Sequence, residues 1–258
     1  MAYFPLFVSL EGKQCLVIGG GKVALRKAKV LLEYGARLQI VAEELCPEMQ
    51  AFAKMKGKDG CGRGSVRAGE EKREGEAEGD MDSEREDEAE GGMEGEQEDE
   101  AVRIFCREAK VEDAKGMDLV ICASSDRKLH REIAAYCKMH RIPVNLADNQ
   151  EESTFLFPAL IRQEDVVLGI TTGGNSPAAS RYLREYIYEQ LPRGIGRLVQ
   201  QLGSFRGLVK EALPEQRMRE EVFTRLFFYG LEHGGELRED DIRRMICELK
   251  EERKGKRK

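Results

Sequence analysis

The chain of 258 residues contains no apolar run approaching the roughly 18–20 residues of a membrane-spanning helix, so no membrane span is predicted. It has three histidines and seven cysteines, at 15, 46, 61, 106, 122, 137 and 247, and none of the cysteines forms a C-x-x-C pair. That dispersion excludes the ligand spacing of a structural zinc site and argues against a disulfide framework. Cys15, Cys106 and Cys122 fall in stretches that read as buried strands, where a free thiol behaves as a small hydrophobe. Such usage predicts a reducing, cytoplasmic setting. The first residues show no basic segment leading into an apolar one, so no signal peptide is expected. Basic patches interleaved with aromatics are also missing, which argues against a nucleic-acid partner.

The net charge of −6 conceals an uneven distribution. Residues 69–100 hold 17 acidic and 3 basic side chains, a local charge of −14, so the remainder carries +8. A basic body suits polyanionic partners, including a small molecule bearing many carboxylates. From 57 to 100 the chain is dominated by Gly, Glu, Asp, Lys and Ser. With so few bulky apolar residues it is expected to be a disordered acidic insertion.

What the sequence does contain is most explicit between residues 15 and 41. An apolar stretch, 16–18, runs into Gly19, Gly20 and Gly21; an amphipathic helix follows, closed by Gly35; a second apolar stretch occupies 38–41. This is a βαβ unit with a G-x-G-x-x-A turn made by Gly19, Gly21 and Ala24. Glycine lets the backbone approach a pyrophosphate, and the helix N-terminus offers free N–H groups and the positive end of its dipole. A strand-to-helix turn without a ligand is the competing reading.

Strands are further predicted at 3–10, 102–106, 119–122 and 143–147, with helices over 45–55 and 129–140. The alternation predicts an α/β fold with a doubly wound parallel sheet of Rossmann type. Two apolar stretches, 155–161 and 166–172, are separated by a polar turn at 162–165 and read as an antiparallel hairpin. Helices are then expected over 177–190, 195–212, 214–229 and 238–252. Three parts result: a dinucleotide-binding domain over 1–150 containing the insertion, a small α+β segment over 151–192, and a helical domain over 193–258.

Several side chains are placed to do chemistry. Glu43 and Glu44 stand where an acidic residue commonly holds the ribose hydroxyls, roughly 20 residues beyond the glycines. No Arg or Lys occupies 42–46 to accept a 2′-phosphate, which favours NAD over NADP; exposed residues at the start of a helix are the alternative. On the first helix, Val23, Ala28, Leu31 and Leu32 are expected to form the buried side. Lys22, Arg26, Lys27 and Lys29 are expected to form a solvated face, with Lys22 alone close to the phosphate end. Ala123 and Ser124, after the fourth strand, are small enough to let a cofactor pass. Ser125 or Asp126 alternatively caps the next helix. Asp148 follows the last parallel strand, at the sheet edge where α/β proteins bind ligands. It is a candidate proton acceptor, or else a turn residue bonding its own backbone. In 171–177, TTGGNSP, Ser176 and Pro177 suit the first positions of a helix, and with Arg181 and Arg184 the segment could also receive an anion.

Three stretches together, FPLFVSLEGKQCLVIGGGKVALRKAKVLLEYGARLQIVA, VNLADNQEESTFLFPALI and GITTGGNSPAASRYLRE, resemble the precorrin-2 dehydrogenase family, the NAD-dependent module of siroheme synthesis. The resemblance covers 3–56 and 101 to about 192, and matches the C-terminal part only in kind. It implies a Rossmann domain, a dimerisation segment and a helical domain assembled as a homodimer. It further implies oxidation of precorrin-2, which carries eight carboxylates, to sirohydrochlorin with NAD⁺, and in some members insertion of Fe²⁺ to give siroheme. The family's important aspartate falls on Asp148, its cofactor turn on 19–23, and its ribose-side positions on Glu43 and Glu44. The acidic insertion departs from the family, and the chain is too short to carry the methyltransferase sometimes fused to this module. A non-catalytic NAD-sensing regulatory module remains the alternative.

Overall fold

The computed structural model describes residues 3–56 and 101–255; the expected disorder over 57–100 concerns residues outside that set. The chain divides into two compact units, one spanning Val8–Thr154 and the other the residues from Phe155 onward with the N-terminal residues through Phe7.

The first unit is built on five strands: β1 (Gln14–Ile18), β2 (Arg37–Ala42), β3 (Val102–Cys106), β4 (Leu119–Cys122) and β5 (Val144–Leu146). They are parallel and ordered β3-β2-β1-β4-β5. The chain starts at the centre and winds outward in both directions, so the carboxyl ends of β1 and β4 flank the point where the order reverses. Helices α1 (Lys22–Glu33), α2 (Pro47–Lys56) and α3 (Arg127–Met139) complete the unit with a short 3₁₀ turn, Val111–Ala114. The continuous apolar runs of β1 and β4 follow from burial on both faces. One face packs Leu16, Ile18, Val120 and Leu146 against Ile133 and Cys137 of α3.

The buried stripe of α1 differs from the expected one. It is formed by Ala24, Leu25, Lys27, Ala28 and Leu31, while Val23 is 46% exposed and Leu32 only half-buried. The helix is rotated so that Ala24, Ala28 and Leu31, at i, i+4 and i+7, face the sheet. Lys27 is therefore carried inside rather than onto the solvated face. Cys106 also departs from expectation: β3 is an edge strand, and the thiol is exposed. Cys15 and Cys122 are buried as expected, and burial pushes each thiol up to about 12. Residues 3–10 form no strand. Pro5 has no N–H to give a ladder, and Phe4, Leu6 and Phe7 remain exposed.

In the second unit, β6 (Ala159–Gln163) and β7 (Val166–Ile170) pair antiparallel, Gln163 opposite Val166. The turn is shorter than expected, only Glu164 and Asp165, with Glu164 at φ 48°. Five helices follow: α4 (Pro177–Gln190), α5 (Ile195–Ser204), α6 (Arg206–Ala212), α7 (Gln216–Glu232) and α8 (Glu239–Gly255). The single helix expected over 195–212 is broken at Phe205, between Gly203 and Gly207, two weak helix formers. The break lets Leu198, Val209 and Leu213 enter one core with Val222, Leu226 and Ile242.

Candidate dinucleotide and proton-transfer site

The three glycines at the end of β1 have three different reasons to be glycine. Gly19 donates its N–H to Val41 O at 2.9 Å and has φ +118°; a Cβ there would lie 2.6 Å from Ala123 O. Gly20 lies under the connection leaving β2: a Cβ would come within 1.9 Å of Glu44 O, and Cys46 N–H donates to Gly20 O at 2.9 Å. Gly21 is the N-cap of α1, in extended backbone, and a Cβ there would meet open space. No side chain caps α1, and its first turn holds no acidic residue. The first N–H groups of the helix thus face an open, uncapped cradle, which fits a dinucleotide pyrophosphate.

Lys22 stands beside this cradle with its side chain 80% exposed and pairs with Glu48 Oε1 at 3.0 Å. The Glu48 hydrogen bond holds the ammonium above its usual range. Glu43 and Glu44 are exposed and lie in the connection ahead of α2, which begins at Pro47, so neither belongs to that helix. Val23, half-exposed at the start of α1, borders the open side. Ala123 and Ser124 are half-buried at the carboxyl end of β4, and Ala123 N–H donates to Ile18 O at 2.7 Å. Asp126 caps α3, accepting from the N–H groups of Lys128 and Leu129, while Ser125 is exposed.

Asp148 follows β5 by two residues with its side chain one-third exposed. Its Oδ1 is 3.3 Å from His130 Nδ1 and its Oδ2 3.3 Å from Arg127 Nε. It lines a cleft of ≈ 170 Å³ with Arg127, His130, Arg131 and Glu152. His130 is buried, and its Nε2 lies 2.9 Å from Ser124 Oγ. The first unit therefore brings Gly19, Gly21, Lys22 and Val23 to one turn, and links Ser124 with Asp148 through a histidine that sequence reasoning did not single out. A lone histidine on an apolar helix stripe reads as core; only the fold reveals that both ring nitrogens are engaged.

Lys27, on the inner face of α1, hydrogen-bonds Asn145 Oδ1 on β5, and burial lowers its ammonium pKa to about 8. In the second unit, Ser176 caps α4 by accepting from Ala179 N–H at 3.1 Å, with Pro177 at the first helical position. Gly173 and Gly174 have φ of 62° and 79°, and Arg181 and Arg184 are exposed on α4. Among the described residues no cluster of His, Cys, Asp and Glu could hold a metal ion, and no helix is long and apolar enough to cross a membrane.

The NAD_binding_7 family model, an NAD(P)-binding family, matches residues 6–159. The chain is 31% identical to the siroheme synthase of Photorhabdus laumondii over 227 residues, which are 88% of this chain and 39% of that protein. It is also 31% identical to the siroheme synthase of Ectopseudomonas mendocina over 231 residues, 89% of this chain and 40% of that one. It thus spans about two fifths of the length of these relatives. A solved structure titled SirC, precorrin-2 dehydrogenase, superposes with a TM-score of 0.59 at 18% identity, covering 96% of this chain and all of that one.

Proposed function

The chain belongs to the NAD(P)-binding family that its residues 6–159 match, and on that premise we propose that it oxidises precorrin-2 to sirohydrochlorin with NAD⁺ in siroheme biosynthesis. The observation that carries this reading is the open, uncapped helix start at Gly21 in the same unit as Asp148, both at the carboxyl edge of one parallel sheet. The siroheme synthase relatives and the precorrin-2 dehydrogenase fold neighbour supply the substrate.

In this reading Gly19, Gly21 and the first N–H groups of α1 receive the pyrophosphate, with Lys22 at its side and Val23 against the cofactor. Glu43 and Glu44 accept from the ribose hydroxyls, and Ala123 and Ser124 leave room for the nicotinamide half. Bound NAD⁺ supplies a hydride acceptor. Oxidation of precorrin-2 also releases a proton, and Asp148 takes it. The basic body suits the substrate's carboxylates. Residues 1–150, 151–192 and 193–258 act as the dinucleotide-binding, dimerisation and helical parts of a cytoplasmic homodimer. Insertion of Fe²⁺ as a second substrate, giving siroheme, is included as a further activity of the same site.

The test is anaerobic incubation with precorrin-2 and NAD⁺, then with Fe²⁺, followed by absorbance. Appearance of the sirohydrochlorin spectrum with stoichiometric NADH supports the dehydrogenase. NAD⁺ binding without turnover would instead favour a regulatory module that senses the dinucleotide.

A further inference from the structure

We propose that His130 is the positioning residue of this site, a buried imidazole that aims the Asp148 carboxylate by bridging it to Ser124. The role rests on the dehydrogenase reading above. Three elements meet at this ring: Ser124 follows β4 by two residues, His130 belongs to the first turns of α3, and Asp148 follows β5 by two residues. Ser124 Oγ lies 2.9 Å from Nε2 and Asp148 Oδ1 lies 3.3 Å from Nδ1.

The direction of both bonds follows from the neutral tautomer in which the ring donates to the aspartate. A carboxylate only accepts, so Nδ1 carries the ring proton and donates to Asp148. In this neutral ring Nε2 is an acceptor, and the Ser124 hydroxyl donates to it. The His130 side chain is only 2% exposed, so water does not compete for either nitrogen. Arg127 Nε holds Oδ2 from the exposed side at 3.3 Å. Of the two fixings, the buried one sets the orientation, because an exposed guanidinium pair is weak and pays side-chain entropy to form. A base acts only when held within hydrogen-bond reach of the proton it removes. A ring locked at both nitrogens provides that constraint, and it links the strand ends on which cofactor and base depend.

A merely structural histidine and a positioning one separate under two conservative substitutions. In His130→Asn the side-chain amide nitrogen falls near Nδ1, so the donor to Asp148 is kept and the Ser124 link lost. In His130→Gln the amide falls near Nε2, so the Ser124 side is kept and the Asp148 donor lost. The expected result is that His130→Gln lowers kcat for precorrin-2 oxidation by about 10²-fold, with KM and NAD⁺ affinity unchanged. His130→Asn should stay within about ten-fold of the parent on the same reasoning. Equal activities in the two variants, whether both high or both low, overturn the proposal. An activity-independent readout accompanies them. Imidazole ¹⁵N shifts of the parent, assigned by loss of the signal in His130→Gln, should report a proton on Nδ1, and a proton on Nε2 overturns the bridge. A parent that binds NAD⁺ but leaves precorrin-2 unoxidised overturns the reaction assigned above, and the ring tautomer alone then decides the His130–Asp148 link.

Discussion

Lys27 of α1 and Asn145 of β5 are hydrogen-bonded partners inside the layer between helix and sheet, with Lys27 only 5% and Asn145 5% exposed. A charge held there has a thermodynamic signature. Burial brings the Lys27 ammonium to about 8, against the usual 10.5. Between those two pH values the unfolded chain binds a proton that the folded chain does not, so raising pH through this window stabilises the fold. Below pH 8 the lysine is charged in both states and the effect is constant.

The Lys27 contribution should reach about 3 kcal/mol by pH 10.5. Cys15 and Cys122 act in the opposite sense. Burial raises both thiols to about 12, so their stabilisation is full below the usual 9.0 and is lost as pH rises toward 12. Urea denaturation of the parent and of Lys27→Met, from pH 7 to 10, removes the shared cysteine contribution by difference. The parent should gain on the variant as pH rises from 8; parallel curves would refute the buried-charge account.

The turn at Gly21 permits a test that separates folding from binding. Its backbone is extended and a Cβ meets nothing. Gly21→Asp installs a preferred N-cap, so Tm should hold or rise slightly. The same carboxylate enters the cradle offered to the pyrophosphate, so calorimetric NAD⁺ binding should disappear. Unchanged affinity would remove the dinucleotide from this turn.

Gly20 makes the opposite prediction. Its Cβ would overlap a backbone oxygen, Glu44 O, which cannot swing away as a flexible side chain can. Gly20→Ala should cost about 1–3 kcal/mol, read as a lower denaturation midpoint, whereas Gly21→Ala should be nearly neutral.

For Asp148, replacement by alanine should leave NAD⁺ binding intact while lowering precorrin-2 oxidation by roughly 10²- to 10⁴-fold, the usual contribution of a positioned base. Oxidation at the parental rate would leave Asp148 as a turn residue.

The βαβ unit was legible in the sequence because its constraints are local: an apolar run, glycines where the backbone turns sharply, and a helix of correct period. Asp148 was legible by position, since it follows a parallel strand. What escaped depends on tertiary placement. Lys27 carries the charge that ordinarily marks a solvated face, and only the rotation of α1 puts it inside. Cys106 lies in an apolar stretch, but strand order makes β3 an edge, and order is not written in any one segment. His130 needed two neighbours, six and eighteen residues away, before its ring nitrogens had partners. Residues 3–10 have strand composition but no ladder to join.

The contact of Gly20 with the backbone of Glu44 bears on any attempt to change coenzyme preference. The connection carrying Glu43 and Glu44, proposed above for the ribose, and the glycine turn proposed for the phosphates are tied by the Cys46–Gly20 hydrogen bond and by a separation too short for a methyl group. On that proposed assignment, the adenosine end and the pyrophosphate end of a dinucleotide would meet one continuous, tied piece of backbone. On the same assignment, side-chain exchange at Glu43 or Glu44 would alter selectivity without disturbing the phosphates. Insertion or deletion in the same connection would displace the glycine turn with it, and a redesigned specificity would then come with a weakened grip on every nucleotide.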